Sequence, residues 1–134
     1  MEIIFKTTKD KSNFTYFSEL FKNKKILNGF NKLSESLLCE QILNNRFMCR
    51  NVKFEDKIKG KLYICYPLTV VVKFDIEFDS LYSLISEIRK AYKKIYKDRN
   101  TMIKCGVWGH DIGDLCIESI RVCEDNSIEV GIGS

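Results

Sequence analysis

The residues best suited to chemistry lie in one short stretch, Gly106-Val107-Trp108-Gly109-His110-Asp111. Residues 106–115 hold the only Trp, the only His and three of the seven Gly residues in the chain. Indole and imidazole rings can stack on a flat ligand, a carboxylate accepts hydrogen bonds, and glycine amides can approach a phosphate. Glycine also permits backbone angles that other residues avoid, so the stretch could be only a tight turn in which Trp108 closes the core. It therefore predicts either a binding site or a structural turn.

A basic, aromatic helix is predicted directly before this stretch, over about 80–98. Leu81, Leu84 and Ile88 follow the 3.6-residue helical period, with four further apolar residues on the same face. A polar arc of lysines and one arginine is often no more than a solvated surface. Cations beside tyrosines also suit a ligand with phosphates and a flat base. The predicted ligand-binding residues are Arg89, Tyr92, Lys93, Tyr96, Trp108, Gly109, His110, Asp111 and Arg121.

The single histidine also raises the question of catalysis and metal binding. His110 could pair with the thiol of Cys105 or Cys116, but a cysteine among apolar residues is by default an inert buried thiol. His110, Asp111 and Asp114 offer three metal ligands without a second histidine or a pair of cysteines. We therefore expect no catalytic site, no metal site and no cofactor.

Composition limits the class of protein. A chain of 134 residues, 45% of them hydrophobic, predicts a single domain over 1–134 with its own core. The six cysteines include no C-x-x-C pair, and no stretch approaches the roughly 18 apolar residues of a membrane span. We therefore expect a cytoplasmic protein with reduced thiols and no membrane partner. A net charge of +4 is low for a nucleic-acid-binding domain, so nucleic acid is not an expected partner.

The remaining patterns predict an α+β domain with antiparallel strands at both ends of the chain. A strand is predicted over 1–7, helices over 12–22 and about 31–45, and a further strand from Phe47 to a turn at Lys59-Gly60. Residues 62–78 alternate as a long β segment, in which Pro67 marks an edge, a bulge or a break. Strands over 115–123 and from Ile128 to the end form a C-terminal hairpin. Its last strand is predicted to be an exposed edge, which favours a homo-oligomer.

Three segments resemble small proteins of phages and mobile elements from AT-rich bacteria: Tyr92–Tyr96, Gly106–Asp111 and the closing Gly131-Ile132-Gly133-Ser134. The layout of strands, long helix and C-terminal hairpin resembles the phage anti-Thoeris family, which sequesters cyclic ADP-ribose signals. This resemblance implies a non-catalytic anti-defence protein that binds an anionic, cyclic-nucleotide-like molecule. The residues leave open an inhibitor that instead binds a protein partner through its surface, such as an anti-CRISPR or a toxin-immunity protein.

Overall fold

The computed structural model describes residues 1–5, 41–42, 51–123 and 125–134. The strands of this part of the chain are β1 (Glu2–Phe5), β2 (Gln41–Ile42), β3 (Lys53–Ile64), β4 (Val71–Ser80), β5 (Cys116–Val122) and β6 (Ser127–Gly133). The helices are α1 (Leu81–Ile95), α2 (Arg99–Cys105) and a 3₁₀ helix (Ile112–Asp114). The strands form one sheet in the order β1-β4-β3-β6-β5-β2. The predicted α+β class is confirmed.

The sheet is mixed, because one strand pair in its centre is parallel. β4 pairs antiparallel with β1 and β3, and β5 and β6 form the predicted antiparallel hairpin. β6 also pairs in parallel with β3, through Lys61, Leu62 and Tyr63. The prediction of an exposed edge at Ile128–Ile132 is therefore wrong for Ile128 and Glu129, which have a strand on each side, whereas the described register pairs the rest of that range with β5 alone. A homo-oligomer stays a prediction that no longer rests on this edge.

The core lies between α1 and one face of the sheet. Ser80 caps the helix, since its side chain accepts a hydrogen bond from the Ser83 amide at 3.1 Å. The predicted facing of the β segment is confirmed, because its alternate apolar residues are all buried in one cluster with the apolar face of α1. These residues are Leu68 and Val70 in the connection before β4, and Val72, Phe74, Ile76 and Phe78 on β4.

The predicted turn at Lys59-Gly60 is wrong, because β3 runs through both residues to Ile64. Gly60 serves close packing instead of a turn. A Cβ atom at this position would lie 2.8 Å from Cδ1 of Ile128 and 3.0 Å from the carbonyl oxygen of Asn126. Glycine within a strand often marks such an approach of a second backbone, and here that backbone leads into β6.

Other element boundaries also differ from the predictions. Residues 41–42 pair with β5 as a short strand, so the helix predicted over about 31–45 is wrong there, and its remainder lies outside the described residues. The helix predicted over 12–22 lies wholly outside them. The helix predicted over about 80–98 ends at Ile95, and α2 follows as a separate helix. Asp98 starts α2 by accepting a hydrogen bond from the Thr101 amide at 2.7 Å.

The break predicted at Pro67 is confirmed. β3 ends at Ile64 and β4 begins at Val71, and the Tyr66–Pro67 peptide bond between them is cis. The connection turns on a hydrogen bond from the Leu68 amide to the Cys65 carbonyl oxygen at 3.0 Å. Among the described residues, no helix is both long enough and apolar enough to span a membrane.

Candidate ligand-binding site

Three aromatic side chains meet at the surface, and we call them the aromatic platform: Tyr66, Trp108 and His110. Their ring centroids are 5.6 Å apart for Tyr66 and Trp108, 5.9 Å for Tyr66 and His110, and 5.8 Å for Trp108 and His110. Trp108 is 49% exposed, so much of the largest ring faces solvent. Trp108 is therefore not the core plug that a purely structural turn would require.

The C-terminal end of α2 sets the path of the chain into the platform. Gly106 has a left-handed backbone conformation (φ 65°) directly after the last helical residue. Its amide donates to the Ile103 carbonyl oxygen, and the Val107 amide donates to that of Met102, both at 3.0 Å. This pair of bonds is the Schellman ending, which reverses the chain after a helix. The next residue is Trp108.

Two backbone hydrogen bonds join this loop to the turn that contains Pro67. The Thr69 amide donates to the Gly106 carbonyl oxygen at 3.1 Å, and the Trp108 amide donates to the Pro67 carbonyl oxygen at 3.0 Å. Together they place Trp108 beside Tyr66, although the two residues are far apart in sequence. Tyr66 is not among the site residues predicted from the sequence. Its position next to the only proline, in the gap between two strands, was the available signal.

Tyr92 of α1 and Tyr96, the residue directly after α1, each form a hydrogen bond to the backbone of a platform residue. The Tyr92 hydroxyl donates to the Tyr66 carbonyl oxygen at 2.6 Å, and the Tyr96 hydroxyl donates to the His110 carbonyl oxygen at 2.8 Å. Tyr92 is 1% exposed, so its ring lies in the core and not on the surface. Both residues, which the sequence suggested as ligand contacts, act here through the backbone positions of platform residues.

We expect Gly106→Ala to lower the free energy of unfolding by about 2 kcal/mol, because alanine strains the left-handed backbone and its Cβ would collide with the Thr69 side chain. Gly109→Ala is the matched control. Gly109 is also left-handed (φ 69°), but a Cβ there would have no atom within 4 Å, so only backbone strain of about 1 kcal/mol is expected. Urea unfolding measures both variants. Equal losses would contradict a collision at Gly106.

Negative charge lies close to the platform. Asp111 and Asp114 are exposed; Asp111 directly precedes the 3₁₀ helix that follows His110, and Asp114 is the last residue of that helix. Partial burial, followed by the charges of Asp111, Tyr66 and then Asp114, raises the pKa of Tyr96 from 10.0 to about 12. Because Asp111 directly follows His110, whose carbonyl oxygen accepts a hydrogen bond from the Tyr96 hydroxyl, its carboxylate belongs to the loop that carries the platform.

We expect the stability of the protein to fall between pH 10 and about pH 12. Unfolded Tyr96 loses its proton near its usual pKa of 10.0, whereas the folded residue keeps it until about 12, so alkali favours the unfolded chain. Urea unfolding from pH 9 to 12 should show a smaller fall for Tyr96→Phe, in which the buried Tyr92 still contributes. An identical fall in both proteins would show that Tyr96 does not titrate in this way.

The predicted basic residues do not all lie together. Arg89, Lys93 and Tyr96 are spaced by four and three residues, so they share one face of α1. Partial burial lowers the pKa of Arg89, while Lys93 is exposed. Arg121 is opposite Glu129 in the β5–β6 register. Successive side chains of a strand point to opposite faces of the sheet. Because Arg121 directly follows the buried Ile120, its side chain points to the face opposite α1.

The thiols near the platform do not suit nucleophilic catalysis. Cys105 is fully buried and its pKa is raised by burial. Cys65, beside Tyr66, has its pKa raised by burial and then by the charge of Glu129. A raised pKa lowers the fraction of reactive thiolate. Cys65 and Cys105 have free thiols, and no described group of His, Cys, Asp and Glu could hold a metal ion.

A separate groove with a volume of about 680 Å³ lies along β3 and β4 and includes no predicted site residue. Three lysines of β3 line it together with acidic residues. Glu77 pairs with Lys57 at 3.2 Å and with Lys59 at 3.8 Å. Lys57, Lys59 and Lys61 thus lie on β3 with acidic residues beside them. Because both signs of charge alternate there, the groove does not resemble an anion site.

Comparison with protein-family models, with curated proteins and with solved structures finds no match for the chain. The functional interpretation therefore rests on the geometry and charge of the platform and its surroundings.

Proposed function

We propose that the protein is a non-catalytic binding protein of the cytoplasm that captures an anionic, cyclic-nucleotide-like molecule on the aromatic platform. In this role it acts as a phage-type anti-defence protein, sequestering a signal of its host and assembling as a homo-oligomer. The observation that carries the proposal is the half-exposed Trp108 ring, held by backbone hydrogen bonds beside Tyr66 and His110. A base that stacks on such a preformed surface loses little free energy to protein reorganisation.

The phosphate contacts of the ligand are assigned to α1. Lys93 lies one turn before Tyr96, and Arg89 lies one turn before Lys93 on the same face. Both cations therefore lie along α1 on the side that leads to Tyr96, which bonds to the His110 carbonyl oxygen. Arginine binds phosphate through paired N–H groups, and lysine through its point charge. The ligand would thus extend from the platform along this face of α1.

A second candidate is an inhibitor that binds a protein partner, and Ile103 favours it. Ile103 is 68% exposed on α2, five residues before Trp108, and the two are the only exposed large hydrophobic residues of the described part apart from Met1 and Ile3. Exposed tryptophan is often the energetic centre of a protein interface. The first candidate requires that a small molecule alone binds to the aromatic platform, whereas the second requires a protein partner.

The deciding experiment is retention of small molecules. The purified protein is incubated with cyclic AMP, cyclic GMP, cyclic di-nucleotides or cyclic ADP-ribose, filtered, and heated to release what it bound. Release of an unmodified compound supports capture, whereas an altered compound would identify an enzyme. Retention should weaken with added salt, because screening reduces phosphate attraction. Retention of none of these compounds would favour the protein-binding candidate.

A further inference from the structure

The aromatic platform combines π-electron faces with nearby negative charge. The faces of Trp, Tyr and related rings attract cations, and Trp does so most strongly. Here the Trp108 and Tyr66 rings pack edge to face with their centroids 5.6 Å apart, and His110 completes the group. A neutral base would gain only stacking from this surface. A positively charged ring would gain both stacking and electrostatic attraction.

The two exposed carboxylates extend this preference. Asp111 directly follows His110, and Asp114 is the last residue of the 3₁₀ helix. The Asp114 amide donates a hydrogen bond to the Asp111 carbonyl oxygen at 3.0 Å. The backbone of His110 is in turn fixed by the Tyr96 hydroxyl at 2.8 Å. Both carboxylates are thus tied to the platform through short backbone connections. Their charge disfavours an anion there and favours a cation.

From these observations we infer that the ring bound on the aromatic platform is cationic, so that the ligand is a nucleotide with a positively charged, N-alkylated base. This inference rests on the proposed function and narrows its ligand class. The ligand carries its two charges at opposite ends. The cationic ring lies on Trp108 beside Asp111, and the phosphate lies on the face of α1 that carries Arg89 and Lys93.

Two probes that differ in ring charge test the inference. At pH 7, 1-methyladenosine 5′-monophosphate carries a positive base, whereas adenosine 5′-monophosphate carries a neutral base of nearly the same shape and the same phosphate. Isothermal titration calorimetry should show about tenfold tighter binding of the methylated nucleotide, the size expected of a cation on an aromatic face. Equal affinities would overturn the cationic ring and leave the proposed function standing. Binding of neither nucleotide would also overturn the cationic ring, whereas the proposed function falls only if the cyclic compounds of the retention experiment are not retained either.

Substitution of Asp111 or Asp114 tests whether the preference for a cationic ring arises at the platform. Asp111→Asn and Asp114→Asn should each reduce the preference for the methylated nucleotide several-fold and leave the affinity for adenosine 5′-monophosphate unchanged or higher. Asp56→Asn is the matched control, because Asp56 is an exposed residue of β3 and its loss changes the net charge equally. An equal effect of all three substitutions would show that overall charge, and not the platform, sets the preference.

Discussion

Phe74→Ala is expected to lower the free energy of unfolding by about 3–5 kcal/mol, the usual cost of removing a buried phenylalanine ring. Phe74 is 4% exposed in the centre of β4 and belongs to the core cluster that α1 covers. The Lys94 ammonium lies 5.9 Å from its ring centroid, so the substitution also removes a cation–π contact. Urea unfolding, followed by far-ultraviolet circular dichroism, gives the change.

Phe54→Ala is the control for this substitution. Phe54 lies on β3, is half-buried, and contacts Phe78 edge to face with centroids 6.1 Å apart. The same atoms are removed from a less enclosed site, so the loss should be clearly smaller than for Phe74→Ala. A loss at Phe74 no larger than the loss at Phe54 would refute the packing of this part of β4 against α1.

Trp108→Ala is expected to weaken nucleotide binding by about 1–3 kcal/mol, which is the usual value of one base stacked on an aromatic side chain. The fold should persist, because the ring is 49% exposed and the hydrogen bond to Pro67 comes from the Trp108 backbone amide, which alanine keeps. Calorimetry with 1-methyladenosine 5′-monophosphate measures affinity, and a parallel thermal unfolding curve measures stability.

Ile103→Ala separates the two candidate functions. It removes the other exposed apolar side chain near the platform, on α2, and should leave nucleotide affinity unchanged. The fluorescence of Trp108, the only Trp in the chain, should change when nucleotide is added to the wild type and to this variant. Two outcomes would show that the platform is a structural element instead of a binding surface. One is that Trp108→Ala unfolds the protein in the absence of ligand, and the other is that no nucleotide changes the Trp108 fluorescence of the wild type.

Periodicity was informative where one face of an element is buried. The alternation along β4 and the helical spacing of Leu81, Leu84 and Ile88 predicted both elements and their facing correctly, because burial against a single partner imposes a regular pattern. The turn at Lys59-Gly60 failed for a different reason. Glycine signals a turn and a close backbone approach equally well, and only the position of Asn126 and Ile128 distinguishes the two.

The candidate site could be predicted only in part. Trp108 and His110 were found because their residue types are unique in the chain. Tyr66 was missed because its contact with Trp108 depends on two hydrogen bonds between distant turns, which leave no periodic pattern. The hydrogen bonds of Tyr92 and Tyr96 to backbone carbonyl oxygens were not predicted, since sequence does not show whether a tyrosine on the flank of a helix points its hydroxyl to solvent or to a carbonyl group.

The parallel pairing of β3 with β6 has a consequence for how the chain folds. The β3–β4 and β5–β6 pairs are each antiparallel and formed by strands that are close in sequence, so each can form early. Their junction consists of three described register positions, Lys61–Tyr63 against Ser127–Glu129, and brings together segments from opposite halves of the chain. Non-local contacts of this kind slow folding because loop entropy is lost before they form. We therefore expect the pairing of β3 with β6, which requires the backbone before β6 to pack closely against Gly60, to limit the rate of folding.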